Sequence, residues 1–128
     1  MRIYIIVLFT LTMLISLPAI GLAESYTDEE IANAIYKAEG GEKAEYLYGI
    51  RSAAYSDAAD ARRICLNTIR ENRGRYEEYG HREYRTFLEF LASRYAPVSG
   101  EGLSEDAIKL NENWLRNVRY FLKKNRLK

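Results

Sequence analysis

Few side chains in this chain are equipped for chemistry. His81 is the only histidine and Cys65 the only cysteine in 128 residues. A lone imidazole supports neither a histidine-based metal site nor a catalytic triad. A lone thiol excludes an intramolecular disulfide and a clustered-thiolate metal centre. Cys65 sits among Ile64, Leu66 and Ile69 in a helical pattern and reads as a buried structural cysteine. The sequence thus predicts no metal and no cofactor, and leaves carboxylates, hydroxyls and eleven tyrosines. Among the carboxylates Glu39 stands out. It follows Ile35 by four residues and Ile31 by eight, so it projects from an apolar helical stripe, and it is the last residue before Gly40-Gly41. Desolvation penalises a carboxylate, and the negative end of a helix dipole repels one. Both favour a carboxyl that keeps its proton, as a glycosidic general acid requires. The plainer alternative is a side chain that frays into water at a helix end.

The elements that must position Glu39 are helical. Thr27-Asp-Glu-Glu30 is a capping box with Thr27 as N-cap. Behind it Ile31, Ala34, Ile35 and Ala38 recur at helical spacing, and Gly40 suits the left-handed position past the helix end. Residues 42 to 55, rich in Tyr and Gly, read as an irregular connection or a small β-hairpin. Ser56 or Asp57 caps a second helix with Ala61, Ile64, Cys65, Thr68 and Ile69 on its inner face. It runs to Asn72 or on to Tyr79, with Gly74 and Gly80 as two stops. A third helix is expected from about Arg82 to Tyr95, ended by Pro97. Ser104 opens the last, whose buried stripe is Ile108, Leu115, Val118 and Leu122, flanked by Trp114 and Phe121. The expected fold class is all-α, a single compact helical domain.

Several of these segments, taken in order, carry a family resemblance. Ala34-Ile-Tyr-Lys-Ala-Glu-Gly-Gly41, followed by Tyr46-Leu-Tyr-Gly-Ile-Arg-Ser52, resembles the active-site region of the lysozyme-like superfamily. There a helix ends in a catalytic Glu, and a loop or hairpin with a Gly-Ile or Asn-Ile element lines the cleft. Ala61-Arg-Arg-Ile-Cys-Leu-Asn-Thr-Ile69 is similar to the helix that follows. Phe87-Leu-Glu-Phe-Leu-Ala-Ser-Arg-Tyr-Ala-Pro97 is similar to the segment ending in an aromatic-Ala-Pro turn. Leu110-Asn-Glu-Asn-Trp-Leu-Arg-Asn-Val118 is similar to the closing helix of small bacterial and phage-associated members. Two features depart from the pattern. The Glu-Ser pair of soluble lytic transglycosylases is Glu-Gly here, and their Gly-Leu-Met-Gln motif is absent.

The resemblance implies cleavage of the β-1,4 bond between N-acetylmuramic acid and N-acetylglucosamine in peptidoglycan. Glu39 would protonate the glycosidic oxygen. Tyr46 and Tyr48 would line sugar subsites, Gly49 and Ile50 would present backbone groups to an N-acetyl arm, and Tyr95 would hydrogen-bond near Glu39 from the opposite wall. A hydrolase would ordinarily want a second carboxylate or a positioned water. Asp57, Glu42 and Glu45 are the candidates, and nothing in the sequence selects among them, which favours the transglycosylase variant. The alternative is a non-catalytic envelope protein of the same fold that binds glycan or a partner protein.

The N-terminus speaks to location. Arg2 precedes an apolar run from Ile3 to Ile20, broken near its end by Pro18, and Gly21-Leu22-Ala23 places small residues where a signal peptidase reads. Residues 1–23 are therefore expected to be a cleaved signal peptide of an exported, periplasmic or secreted protein, with no stable membrane anchor afterwards. An uncleaved anchor is the competing reading, since about 20 apolar residues can span a bilayer, and Pro18 and the Gly-x-Ala site favour cleavage. Residues 24–128 form the domain, a length suited to one core. Arg2 is the one charge removed, leaving 18 basic and 18 acidic side chains. That balance argues against nucleic acid as a partner, since such binding draws on a basic excess.

Overall fold

The computed structural model describes residues 25 to 127, so the expected signal peptide lies outside the described residues. Among the described residues four α-helices make up the body: α1 (Asp28–Ala38), α2 (Ala58–Glu78), α3 (Phe87–Tyr95) and α4 (Glu105–Arg126). Short 3-10 turns occupy Gly41–Lys43, Leu47–Gly49 and Gly80–Arg82. The fold is all-α, with no strand among the described residues, and none of the described helices is long and apolar enough to cross a membrane.

Each helix begins at a side-chain cap that satisfies backbone N–H groups left without intrahelical partners. At α1 the Glu30 N–H donates to Thr27 Oγ1 at 3.1 Å, while the Thr27 N–H donates to the Glu30 carboxylate at 2.8 Å. Asp57 accepts from the Asp60 N–H at the head of α2 (2.8 Å) and Ser104 from the Ala107 N–H at the head of α4 (3.2 Å). At α3 a second capping box pairs Thr86 with Glu89. This box moves the start of α3 from the expected Arg82 to Phe87. The preceding Gly80–Arg82 is a separate turn, and Tyr84 packs edge-on against Phe90 instead of extending the helix. Gly74 does not stop α2, which runs through it to Glu78. Between α1 and α2 the chain forms two 3-10 turns and no hairpin.

The core is the shared interior of the four helices. Ile31 and Ile35 from α1, Cys65 and Ile69 from α2, Leu88 and Leu91 from α3, and Val118 and Leu122 from α4 are all but inaccessible to water. Each such aliphatic side chain contributes roughly 1.5–3 kcal/mol relative to exposure. On α4 the buried stripe is Trp114, Val118 and Leu122, four residues apart, with Ile108, Leu115 and Phe121 only half-buried beside it. The stripe is thus turned toward Trp114 compared with the expectation. α4 runs back along α1: the Arg126 guanidinium holds Glu30 at 3.1 Å and covers the Tyr26 ring at 4.1 Å. Arg73 fastens α2 to the same end of α1 through Asp28, at 2.8 Å.

Two glycines give opposite expectations. At Gly74 an added Cβ meets nothing within 4 Å, so Gly74→Ala, inside α2 about one turn from its C-terminal end, should raise stability by about 0.5–1 kcal/mol. At Gly80 the same atom lies 2.7 Å from the Phe90 ring, so Gly80→Ala should lower stability by about 1–3 kcal/mol through overpacking. Urea unfolding midpoints check both; a Gly80→Ala midpoint at or above wild type would contradict this packing.

Candidate functional site

Glu39 is the residue that ends α1, its N–H donating to the Ile35 carbonyl at 2.9 Å. Gly40 then turns the chain with φ +108°, a conformation that L side chains rarely adopt and that closes the helix as the sequence predicts. The turn aims the Glu39 side chain across the molecule to α4, where the Trp114 indole N–H donates to Glu39 Oε1 at 2.9 Å. The second carboxyl oxygen has no hydrogen-bond partner among the described residues. Glu39 is half-buried, and Trp114, the chain's single tryptophan, is 7% exposed.

On its other side the carboxyl rests against bare backbone at Gly49. A Cβ built there would lie 2.9 Å from Glu39 Cδ and Oε1, and φ is +68°. Glycine is therefore required twice over, for the turn and for the close approach. The preceding Tyr48 is also left-handed, at φ +56°, which is unfavourable for a residue with a Cβ and persists only where neighbours hold it. They do. Tyr95 donates its hydroxyl proton to the Tyr48 carbonyl at 2.8 Å, the Leu47 N–H donates to the Tyr55 hydroxyl at 3.0 Å, and the Tyr36 and Tyr48 rings pack at 5.1 Å.

Tyr95 joins these parts. Its ring stacks on Trp114 at 5.1 Å and 24°, and its hydroxyl also lies 3.8 Å from Cys65 Sγ. Burial pushes the Tyr95 phenol well above its usual range, so the hydroxyl stays a neutral donor to Tyr48. Burial likewise pushes the Cys65 thiol up to about 11, which makes it an inert packing group beneath the site. All four helices and the Leu47–Gly49 turn thus meet around one carboxyl.

That carboxyl opens into a groove of about 480 Å³, a size suited to a small ligand. Gly49, Arg51, Tyr95 and Trp114 line it near Glu39; Leu103 and Leu110 add apolar surface, and Asn111 and Asn117 add amides. Among the described residues no other carboxylate lines it. Glu42 and Glu45 are exposed outside it, and Asp57 is committed to capping α2.

The expected site residues divide. Glu39, Gly49 and Tyr95 come together at the groove. Tyr95 touches Trp114, the partner of Glu39, and directs its own hydrogen bond to the Tyr48 carbonyl, beside the Gly49 backbone on which Glu39 rests. Ile50 is buried and lines an adjoining recess. Tyr48 turns its ring into the core, 6% exposed, and offers the site only its carbonyl position. Tyr46 is exposed, with the Arg51 guanidinium over its ring at 5.2 Å, outside the groove lining. The sequence reading missed Trp114 as a site residue, along with Arg51, Asn111 and Asn117. The available signal for Trp114 was its place four residues before Val118 and eight before Leu122.

Two measurements check this geometry. Gly49→Ala forces a methyl group into the Glu39 carboxyl and should displace the Trp114 hydrogen bond, shifting the indole N–H proton resonance. An unchanged resonance would contradict the packing. Cys65 gives a pH dependence. Its thiol holds its proton more tightly folded than unfolded, so that contribution is intact below pH 9 and lost as pH rises from about 9 to about 11. Stability should therefore fall by a few kcal/mol across that window, and Cys65→Ala should flatten the fall. A wild-type profile that stays level would contradict a buried thiol.

The chain matches no protein-family model, no curated protein and no solved structure, so the reading of the site rests on its own residues.

Proposed function

We propose that the protein is a peptidoglycan-cleaving glycosidase of the lytic transglycosylase type, a member of the lysozyme-like superfamily, with Glu39 as general acid and then general base. The observation that carries this reading is the setting of Glu39: the one carboxyl among the described residues lining a ligand-sized groove, oriented by an indole donor at 2.9 Å. Trp114 engages one oxygen as an acceptor. A protonated Glu39 can satisfy that donor and still present its hydroxyl on the other oxygen to a substrate.

The proposed reaction needs no more than the one carboxyl that lines the groove among the described residues. Glu39 gives its proton to the glycosidic oxygen as the bond from that oxygen to the muramoyl C1 breaks. The resulting carboxylate then takes the proton from the muramoyl 6-hydroxyl as that oxygen bonds to C1. The product is a 1,6-anhydro end, no water is consumed, and Glu39 regains its proton. The absence of a second groove carboxylate among the described residues favours this route over hydrolysis. Leu103 and Leu110 offer apolar contact to a pyranose face, while Asn111 and Asn117 offer amides to hydroxyl and N-acetyl groups. Asn111 already donates to the Pro97 carbonyl at 2.6 Å, which leaves its own carbonyl oxygen to accept. Export to the periplasm or beyond, read from residues 1–23, fits the same substrate.

Glu39→Gln keeps an oxygen for Trp114 and removes the transferable proton. It should clear purified cell walls at least about 100-fold more slowly than wild type, with an unfolding midpoint within a few degrees of it. Mass spectrometry of wild-type products should find muramoyl ends lacking the elements of water. Equal clearing by the variant would refute the catalytic role. Reducing ends would refute the transglycosylase route, and glycan binding without clearing by wild type would leave a binding protein.

A further inference from the structure

Beside the Glu39 groove lies a smaller recess of about 190 Å³. Gly49, Arg51 and Tyr95 line both, so the two open around a shared wall. The recess differs in charge. Arg51 and Arg94 both line it, with Ser52 and Thr68, and no carboxylate does. Both arginines are exposed, and neither is paired with a carboxylate among the described residues. Arg51 lies over the Tyr46 ring at 5.2 Å. Arg94 lies over the Phe90 ring at 5.7 Å and donates to the Tyr79 hydroxyl at 3.2 Å. These contacts place the guanidinium groups and leave N–H groups unspent. Elsewhere Arg63, Arg70, Arg73, Arg75 and Arg126 each face an Asp or Glu.

Two guanidinium groups with no ion-pair partner among the described residues suit a planar carboxylate, which each can grip through two N–H donors. We infer that this recess is a subsite for a carboxylate on the peptide branch of the glycan, so that the protein selects peptide-bearing strands over bare ones. The inference rests on the glycan-cleaving reading and adds its specificity. In intact peptidoglycan the lactyl carboxyl of the muramic acid is tied up as an amide, so the available negative charge is on the peptide. A sugar in the Glu39 groove that carries such a branch would extend it past Gly49 and Tyr95 into the recess.

The test is calorimetric binding in the Glu39→Gln background, where ligands stay intact. Three oligosaccharides of equal length serve as probes: one peptide-bearing, one with peptides removed so that free lactyl carboxylates remain, and an uncharged chito-oligosaccharide. The peptide-bearing probe should bind about tenfold tighter than the uncharged one, and the margin should shrink as salt screens the exposed charges. Adding Arg94→Gln should remove most of that margin while leaving chito-oligosaccharide affinity unchanged, and Arg94→Lys should fall between. A margin unchanged by Arg94→Gln overturns the subsite, as does equal binding of all three probes. Tightest binding by the peptide-free probe would assign the recess to the lactyl carboxylate and overturn the peptide assignment. Failure of all three to bind would sink the glycan reading itself, and the subsite with it.

Discussion

The hydrogen bond from the Trp114 indole to Glu39 is the contact on which the rest of the site depends. It spans 75 positions of chain and ties the end of α1 to the middle of α4. A buried indole has one donor and no means of accepting, so it must find an oxygen or lose about 1–3 kcal/mol. Glu39 supplies that oxygen only because Gly40 turns the chain away at the helix end and Gly49 lets the carboxyl lie against bare backbone. The Trp114 ring in turn stacks on Tyr95, whose hydroxyl holds Tyr48 in its left-handed conformation. Loosening any member of this chain of contacts would release the carboxyl.

Under the proposed function, a groove with one carboxyl among the described residues suits a reaction in which the substrate brings its own nucleophile. A groove with one carboxyl can shuttle one proton out and back, and an internal hydroxyl completes that cycle without an activated water. On the proposed reading the protein's task is positional: to hold the acid by one oxygen, leave the other free, and fix a sugar around it. Tyr95 serves the groove and the recess alike, so the wall that supports the acid also borders the recess of Arg94, while Arg51 lines both.

Local signals in the sequence were read with most success. Thr27, Asp57 and Ser104 cap their helices as their chemistry dictates, and Gly40 ends α1 with the positive φ expected of it. Glu39 was legible for the same reason, because helix periodicity and the glycine stop are both local. What escaped was long-range. Periodicity could not say that Trp114 and not Leu115 faces inward, because that depends on the Glu39 oxygen waiting across the fold. Tyr48 looked like a sugar platform beside an exposed Tyr46, yet Tyr36 and Tyr95 draw it into the core. The start of α3 was hidden because the Thr86–Glu89 box competes with an equally helical-looking stretch before it.

The most direct test of the account is a crystal structure of the Glu39→Gln protein soaked with a muramic acid-containing tetrasaccharide. The account predicts the sugar chain in the groove beside Gly49, Tyr95 and Trp114, with one glycosidic oxygen within about 2.6–3.2 Å of the residue 39 side chain. A groove left empty at saturating ligand, or a glycan seated with no glycosidic oxygen in reach of residue 39, would contradict it.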